Sequence, residues 1–560
     1  DSLRARLVVS DEDRDGYVEN IGSGQDLENS NYTSVRGALE FDLTSEVQIY
    51  LNAYHFDSEN LSGVRLPDDY PSSPTFFFGG PNYWLLNSAG TNPTAVDPFT
   101  VRTNAPARGS DKSSGGSVDV SWNLESIEFR SLTAYDDSKS NTTNDLDGSD
   151  VVNSQADYEF SSDTFTQELQ LLSLGERNLK WVAGLYYYQE NATFFFDRID
   201  GAIFDTNGDT VVNSSDFPFQ IIAITESDTA SYAAYGQIDY AVTDQFELVF
   251  GLRYTKDEKE RPVDGVLAGI AIVPPFVFSN GGDKNSWSEL TGKVGLNYHV
   301  NNDSMVYVSY SRGYKAGGYN ITEPGSYNPE FLDAYDVGLK SVWLDDRIRL
   351  NLAAFYYDYQ DKQDVQFVQG AIISVPRFAN ASSATVTGIE LEVQAYLLDG
   401  LQFDLSLGYL NAEFDDYEVF DSDFPSLGIQ NLSGNKLPYS PDWKVHLGAQ
   451  YTWQFRDDLG SLTVRGDYSW TDGRWWSAFN QSADGIVVTG EGDFLEDYST
   501  INARLHWENK DAVWRVDLYA RNLTNEEVIT QRFNREGPGS ASLSTFLPPR
   551  TYGLKLSYNF

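Results

Sequence analysis

The final nine residues, Tyr552 to Phe560, alternate without a break. Tyr552, Leu554, Leu556, Tyr558 and Phe560 fall on one face of an extended chain, and Gly553, Lys555, Ser557 and Asn559 on the other. Successive side chains of a strand point to opposite faces, so a strand apolar on one side and polar on the other suits a closed sheet with lipid outside and water inside. The period recurs upstream. In 512–522, Trp514, Val516, Leu518 and Ala520 oppose Arg515, Asp517, Tyr519 and Arg521. In 461–471, Leu462, Val464, Tyr468 and Trp470 oppose Thr463, Arg465, Asp467 and Ser469; in 500–508, Ile501, Ala503, Leu505 and Trp507 oppose Asn502, Arg504, His506 and Glu508. An Arg facing lipid near the midplane costs about 2–4 kcal/mol, so confining charges to one face says more than mean hydropathy does. Arg312, in Val306-Tyr-Val-Ser-Tyr-Ser-Arg312, breaks the parity near a loop end, where snorkelling or a bulge would accommodate it.

Short polar turns alternate with long connections. The short ones are 42–46, 123–126, 175–178, 242–245, 301–304, 344–347, 398–400, 456–460 and 508–511; the long ones fall near 18–31, 58–115, 137–162, 197–229, 257–286, 315–330, 361–384, 415–442, 472–498 and 523–548. Strict alternation puts all turns at one rim and all loops at the other, with both termini at the turn rim. The reading is all-β: a single large antiparallel transmembrane β-barrel over 1–560, with about 20 strands and long extracellular loops.

Composition narrows this further. No run of 18 apolar residues occurs and mean hydropathy is −0.41, which excludes membrane-spanning helices but not a barrel. With no Cys, disulfides and thiolate metal ligands are excluded. A net charge of −44 disfavours phosphate-mediated nucleic-acid binding, so no nucleic-acid partner is expected. The 35 Tyr and 12 Trp suit interfacial girdles, because each ring has an apolar body and a polar tip. Acidic runs at Asp136-Asp137, Asp145 to Asp150 and Glu491 to Asp497 read as solvated loops. The chain starts Asp1-Ser-Leu with no visible export leader, so the expectation is that a leader was removed or that this is a fragment.

Several stretches, in a shared order along nearly the whole chain, resemble the barrel of TonB-dependent outer-membrane receptors. They are Arg14-Asp-Gly-Tyr-Val-Glu-Asn20, Gln167-Glu-Leu-Gln-Leu171 leading to Trp181-Val-Ala-Gly-Leu-Tyr-Tyr187, Tyr310-Ser-Arg-Gly-Tyr-Lys-Ala-Gly-Gly-Tyr319, Tyr335-Asp-Val-Gly-Leu-Lys-Ser341, Gly388-Ile-Glu-Leu-Glu392 and Arg521-Asn-Leu-Thr-Asn525. The resemblance implies a 22-stranded barrel in the complete protein, a plug inside it, and a box before the plug that engages the TonB complex. It implies active uptake of a small scarce solute in the bacterial outer membrane, of the siderophore, cobalamin or oligosaccharide class. Outer-membrane lipid, lipopolysaccharide and partner subunits at the cell surface are further candidate partners. Plug and box are not in this sequence, and the strand count is one hairpin short. The alternatives are a passive diffusion porin and a barrel-based surface adhesin.

The sharpest local motif is Asp205-Thr-Asn-Gly-Asp-Thr-Val-Val-Asn-Ser-Ser-Asp216. Side-chain oxygens of Asp205, Asn207, Asp209, Asn213 and Asp216, with the Val211 carbonyl, have the spacing of a structural Ca2+ loop. A solvated Asx-rich turn is the alternative. Asp11-x-Asp13-x-Asp15-Gly16 begins similarly but has Gly22 at position 12, and reads as a strand end. Aromatics in loops are candidate solute contacts: Phe76, Phe77, Phe78 and Trp84 with Tyr83; Phe194 to Phe196; and Arg474, Trp475, Trp476 and Phe479. The four histidines, His55, His299, His446 and His506, fall on strands, no catalytic motif appears, and no enzymatic role is expected.

Overall fold

The computed structural model describes the chain apart from residues 1, 22–23, 62–65, 68–98, 102–107, 146–153, 176–177, 201–218, 271–275, 280, 321–324, 370–373, 422–426, 456–458, 482–492, 534–542 and 560. Among the described residues, twenty antiparallel strands make the wall. They begin β1 (Leu3–Arg14), β2 (Ser30–Asp42), β3 (Val47–Asn60), β4 (Arg108–Leu124), β5 (Ile127–Asp145), β6 (Ser154–Ser173) and β7 (Leu179–Asp200). Next come β8 (Phe219–Ala241), β9 (Phe246–Arg261), β10 (Asp283–Asn301), β11 (Ser304–Lys315), β12 (Glu330–Trp343), β13 (Ile348–Gln369) and β14 (Ser374–Leu398). The wall ends with β15 (Leu401–Phe420), β16 (Trp443–Gln454), β17 (Ser461–Thr471), β18 (Tyr498–Glu508), β19 (Trp514–Arg521) and β20 (Thr551–Tyr558). Each pairs with its sequence neighbours, from β1 with β2 to β19 with β20, and no β1–β20 ladder is among the described residues.

Each of the nine short turns falls between the ends of two consecutive wall strands, as the alternation places it, with 176–177 and 456–458 outside the described residues. The long connections are shorter than read, because the strands overshoot the lipid. Positions 361–384 are mostly the tips of β13 and β14, 137–145 belongs to β5, and Phe194 to Phe196 lie in β7. Above the membrane neither face must be apolar, so the alternation that marks a strand fades there while the ladder hydrogen bonds continue.

Side-chain parity holds through the lipid-facing zone. On β9, Leu248, Phe250, Leu252 and Tyr254 are exposed outward, and on β20 Tyr552 and Leu554 are 67% and 68% exposed, with Leu556 and Tyr558 on the same face. Phe560 lies outside the described residues. Two aromatic girdles bound the apolar band. Tyr310, Tyr335 and Tyr356 stand in a row at the loop side, with ring centroids 5.0 and 6.1 Å apart. At the turn side Phe246 meets Tyr298 and Trp514 meets Tyr558, both at 4.7 Å. Phe246 to Tyr254 spans about nine residues, the length a tilted strand needs to cross the hydrocarbon.

Arg312 points outward, as its parity demands, and is neutralised there. Its Nη1 donates to Asp333 Oδ2 at 2.7 Å, the Tyr310 hydroxyl donates to Asp333 Oδ1 at 2.7 Å, and the guanidinium lies 4.8 Å from the Phe331 ring centre. Snorkelling is unnecessary because the counter-ion sits on the next strand.

The inner wall is polar. Arg465 bridges Asp404 at 2.8 Å and Asp467 at 2.7 Å, His446 Nε2 lies 3.5 Å from Asp467, and Arg504 and His506 share Asp517. A second device recurs on this face: an aromatic ring lies flat over a glycine directly across the ladder. Tyr235 covers Gly184, Tyr307 covers Gly338, Phe355 covers Gly388 and Tyr519 covers Gly553; a Cβ on any of the four would stand 2.1–2.5 Å from the ring. Rings folded onto the wall in this way do not project into the lumen.

Candidate solute-binding mouth

The strand tips and connections on the loop side form packed structure from residues distant in sequence. Near β1, Val18, Leu27 and Val101 are buried together, with Tyr17, Leu61, Phe99 and Phe546 against them. Backbone pairing of Glu19–Asn20 with Thr100–Val101, and of Leu66–Pro67 with Leu543–Ser544, ties the first two long connections to each other and to the last. The Phe99 and Phe546 rings meet at 6.4 Å. Burial, helped by the nearby Glu28 carboxylate, pushes the Tyr17 phenol up to about 12 against the smaller opposing pull of Arg14.

A second cluster buries Ala384, Phe414, Tyr417, Val419 and Leu432 at the tips of β14 and β15. Asparagine amides fasten its loops. Asn435 Nδ2 donates to the carbonyls of Ala478 and Phe479 at 2.9 and 3.0 Å, and Asn480 accepts from the Lys436 N–H at 2.6 Å while donating to the Lys436 carbonyl at 3.1 Å. An Asn side chain carries an amide NH2 with two donors and a carbonyl acceptor, the same groups a backbone offers, so it splices two backbones without needing a strand. Asn380 does the same between the carbonyls of Asn328 and Asp361.

Next to it, Arg474–Trp475 pairs with Phe494–Leu495 as a two-residue ribbon. One face of this ribbon is sealed. Arg474 is 8% exposed, donates through Nη2 to the Ile529 carbonyl at 3.0 Å and stacks 5.4 Å from the Tyr498 ring centre; its Nη1 and the Trp476 Nε1 are buried without a hydrogen-bond partner. Asp493, also buried, accepts from the Ser477 hydroxyl and, at 3.2 Å, from the Gln481 N–H. The opposite face presents aromatic surface, where Trp475 meets Phe494 edge-on at 5.0 Å and Phe494 is 40% exposed.

The candidate contact residues therefore separate. Trp475 is half-buried beside the exposed Phe494, a residue of the acidic run 491–497. Arg474 and Trp476 hold the ribbon to its neighbours, and Phe479 packs against the second cluster. Phe76, Phe77, Phe78 and Trp84, and the whole loop with Asp205, Asn207, Asp209, Val211, Asn213 and Asp216, lie outside the described residues. Asp136, read as a loop acid, is on β5 and accepts from the Tyr54 and Ser113 hydroxyls. Among the described residues no group of three or more His, Cys, Asp or Glu side chains is placed to hold a metal ion.

The sequence model of the family described as "TonB dependent receptor-like, beta-barrel" matches residues 42–523. The pesticin receptor of Yersinia enterocolitica is 23% identical over 404 residues, 70% of this chain and 51% of that protein. The ferric-pyoverdine BN7/BN8 receptor of Pseudomonas putida is 23% identical over 257 residues, 44% and 29% of the two chains. Among solved structures, the ferric yersiniabactin uptake receptor of Yersinia pestis superposes with a TM-score of 0.77 at 17% identity, covering 100% of this chain and 75% of that one. The chain spans about half the length of the curated relatives it matches first.

Proposed function

The chain belongs to the TonB-dependent receptor β-barrel family, and from that premise we propose that it forms the wall and mouth of an outer-membrane transporter for a ferric siderophore, driven through TonB. The observation that carries this reading is the family match over 42–523, joined to relatives that are themselves named as a pesticin receptor and a ferric-pyoverdine receptor. None of the relatives named above is a porin or an adhesin. In this reading a polar plug rests against the inner row of Asp404, Arg465, Asp467, Arg504 and Asp517, and the flattened rings leave room for it. The solute meets the loops first. The exposed Phe494 ring, with the half-buried Trp475 edge-on to it, offers an apolar contact to a chelate's hydrocarbon frame.

The test is accumulation of iron-55 bound to defined siderophores, in cells whose only siderophore receptor is the full-length protein. Uptake of at least one chelate class is expected, and it should fall to background when TonB is deleted. Entry that is indifferent to TonB, together with equal permeation by unrelated small solutes, would instead make the protein a porin.

We also assign a structural Ca2+ to the loop 205–216, supported by its donor spacing alone. Calcium at about 0.1–1 mM, the range of extracellular modules, is expected to slow proteolytic nicking within this loop, and Asp205→Ala with Asp209→Ala to abolish the protection. Equal nicking rates with calcium and with chelator would remove the assignment.

A further inference from the structure

Two buried donors without an acceptor lie two residues apart on the mouth ribbon, Arg474 Nη1 and Trp476 Nε1. Residues i and i+2 of an extended chain share a face. The pairing of Arg474 with Leu495, carried on by the Trp476 N–H to the Asp493 carbonyl at 2.9 Å, keeps this stretch extended. Both donors therefore lie on the sealed side, between the β17–β18 and β19–β20 connections, where Arg474 Nη2 already donates to the Ile529 carbonyl.

A buried N–H left without an acceptor is costly, and a buried guanidinium left without a counter-ion more so. Arg474 makes no ion pair among the described residues, although two acids are close in the ribbon. Asp472 turns back to accept from the Gly473 N–H at 2.8 Å, and Asp493 faces the 477–481 turn, where the Ser477 hydroxyl and the Gln481 N–H donate to it. The guanidinium and the indole are donors only, so the group that satisfies both must accept. Water can accept, but its own two hydrogens then need partners and it supplies no charge. An anion accepts from both donors and balances Arg474 at once. Burial against the Tyr498 ring favours a monovalent anion over a divalent one, whose desolvation costs more.

We propose that Arg474 and Trp476 hold a desolvated monovalent anion of halide size behind the ribbon. The ion fixes the guanidinium, and the guanidinium fixes the contact with Ile529, so occupancy fastens the β17–β18 connection to the β19–β20 connection. Halide in the external medium thus orders this part of the mouth by mass action. The inference does not depend on which solute is transported.

The test is hydrogen exchange of the full-length protein in detergent, read by mass spectrometry in sodium chloride and in sodium gluconate at equal ionic strength, so that screening is matched. Gluconate is too large to be buried behind the ribbon. The Trp476 and Asp493 amides, bonded to the Asp493 and Gln481 carbonyls, report opening of the ribbon. At a chloride concentration about ten times the titration midpoint they are expected to exchange about ten-fold more slowly, because the opened fraction falls as ligand binds the closed form. Arg474→Gln and Trp476→Phe should each remove the chloride effect, the second by deleting one N–H with little change of shape. Unchanged heat-modifiable gel mobility verifies that the variants are folded. In a second arm, crystals grown in sodium bromide should show an anomalous peak in contact with both donors, lost in Trp476→Phe. Equal exchange in the two salts, a chloride effect that survives both substitutions, or a water in place of bromide would each overturn the proposal. So would a bromide peak without any effect on exchange, which marks an adventitious ion only.

Discussion

Asp333→Leu is expected to destabilise the barrel by about 2 kcal/mol, the cost of leaving the half-exposed Arg312 charge on the lipid-facing side without its partner. Asp333 is 8% exposed and gathers three donors on the outward face: Arg312, Tyr310 and, at 3.4 Å, Gln360. Its loss leaves the Arg312 guanidinium at the lipid boundary against the Phe331 ring with no counter-ion. Removing both charges in Arg312→Leu with Asp333→Leu should recover most of the stability, since a pair exchanged for apolar groups is often neutral. Midpoints of heat-modifiable gel mobility in detergent give the comparison. If the single and double variants melt together, the ion pair is not what accommodates arginine on this face.

Gly184→Val is expected to cost about 2–4 kcal/mol, combining overpacking with loss of hydrogen bonds at Tyr235. A Cβ at 184 would stand 2.4 Å from Tyr235 Cζ, so the ring must leave the wall. It would take with it the hydroxyl that donates to Glu168 and accepts from Gln170 at 2.9 Å, and the ring face 5.7 Å from Arg253. Adding Tyr235→Ala to Gly184→Val should relieve the clash and return part of the midpoint. A further drop in the double variant would show that Tyr235 stabilises the wall by some route other than lying on the glycine.

What could be read in advance, and what could not, follows from the solvent each segment meets. Between the girdles one face must be apolar, so parity is written into residues such as Leu248 to Tyr254, and the turns declare themselves by Asp, Asn and Gly. Above the girdles water lies on both sides, and β13 and β14 continue for many residues through sequence that resembles loop. Arg312 was legible as an exception but its answer, Asp333, was not, because the two meet only through the pairing of β11 with β12. The same holds at the mouth. Arg474, Trp475 and Trp476 are adjacent in sequence, yet the ribbon with Phe494–Leu495 seals Arg474 and leaves Trp475 half-buried against the exposed Phe494.

The pairing of Leu66–Pro67 with Leu543–Ser544 has a consequence for the order of folding. Among the described residues every wall ladder joins strands adjacent in the chain, so the wall can zip from hairpin to hairpin as local contacts form, the fast kind. The clasp between the second long connection and the last is different: its partners lie near opposite ends of the chain, and it cannot form until the final hairpin is present. Its loop-closure cost nonetheless grows only with the logarithm of the intervening length, and the zipped wall has by then shortened the path. The last step of assembly is therefore a late and inexpensive one, and a chain stalled before β19 and β20 would keep its earlier ladders while lacking this clasp and the Phe99–Phe546 contact beside it, which join segments from near its two ends.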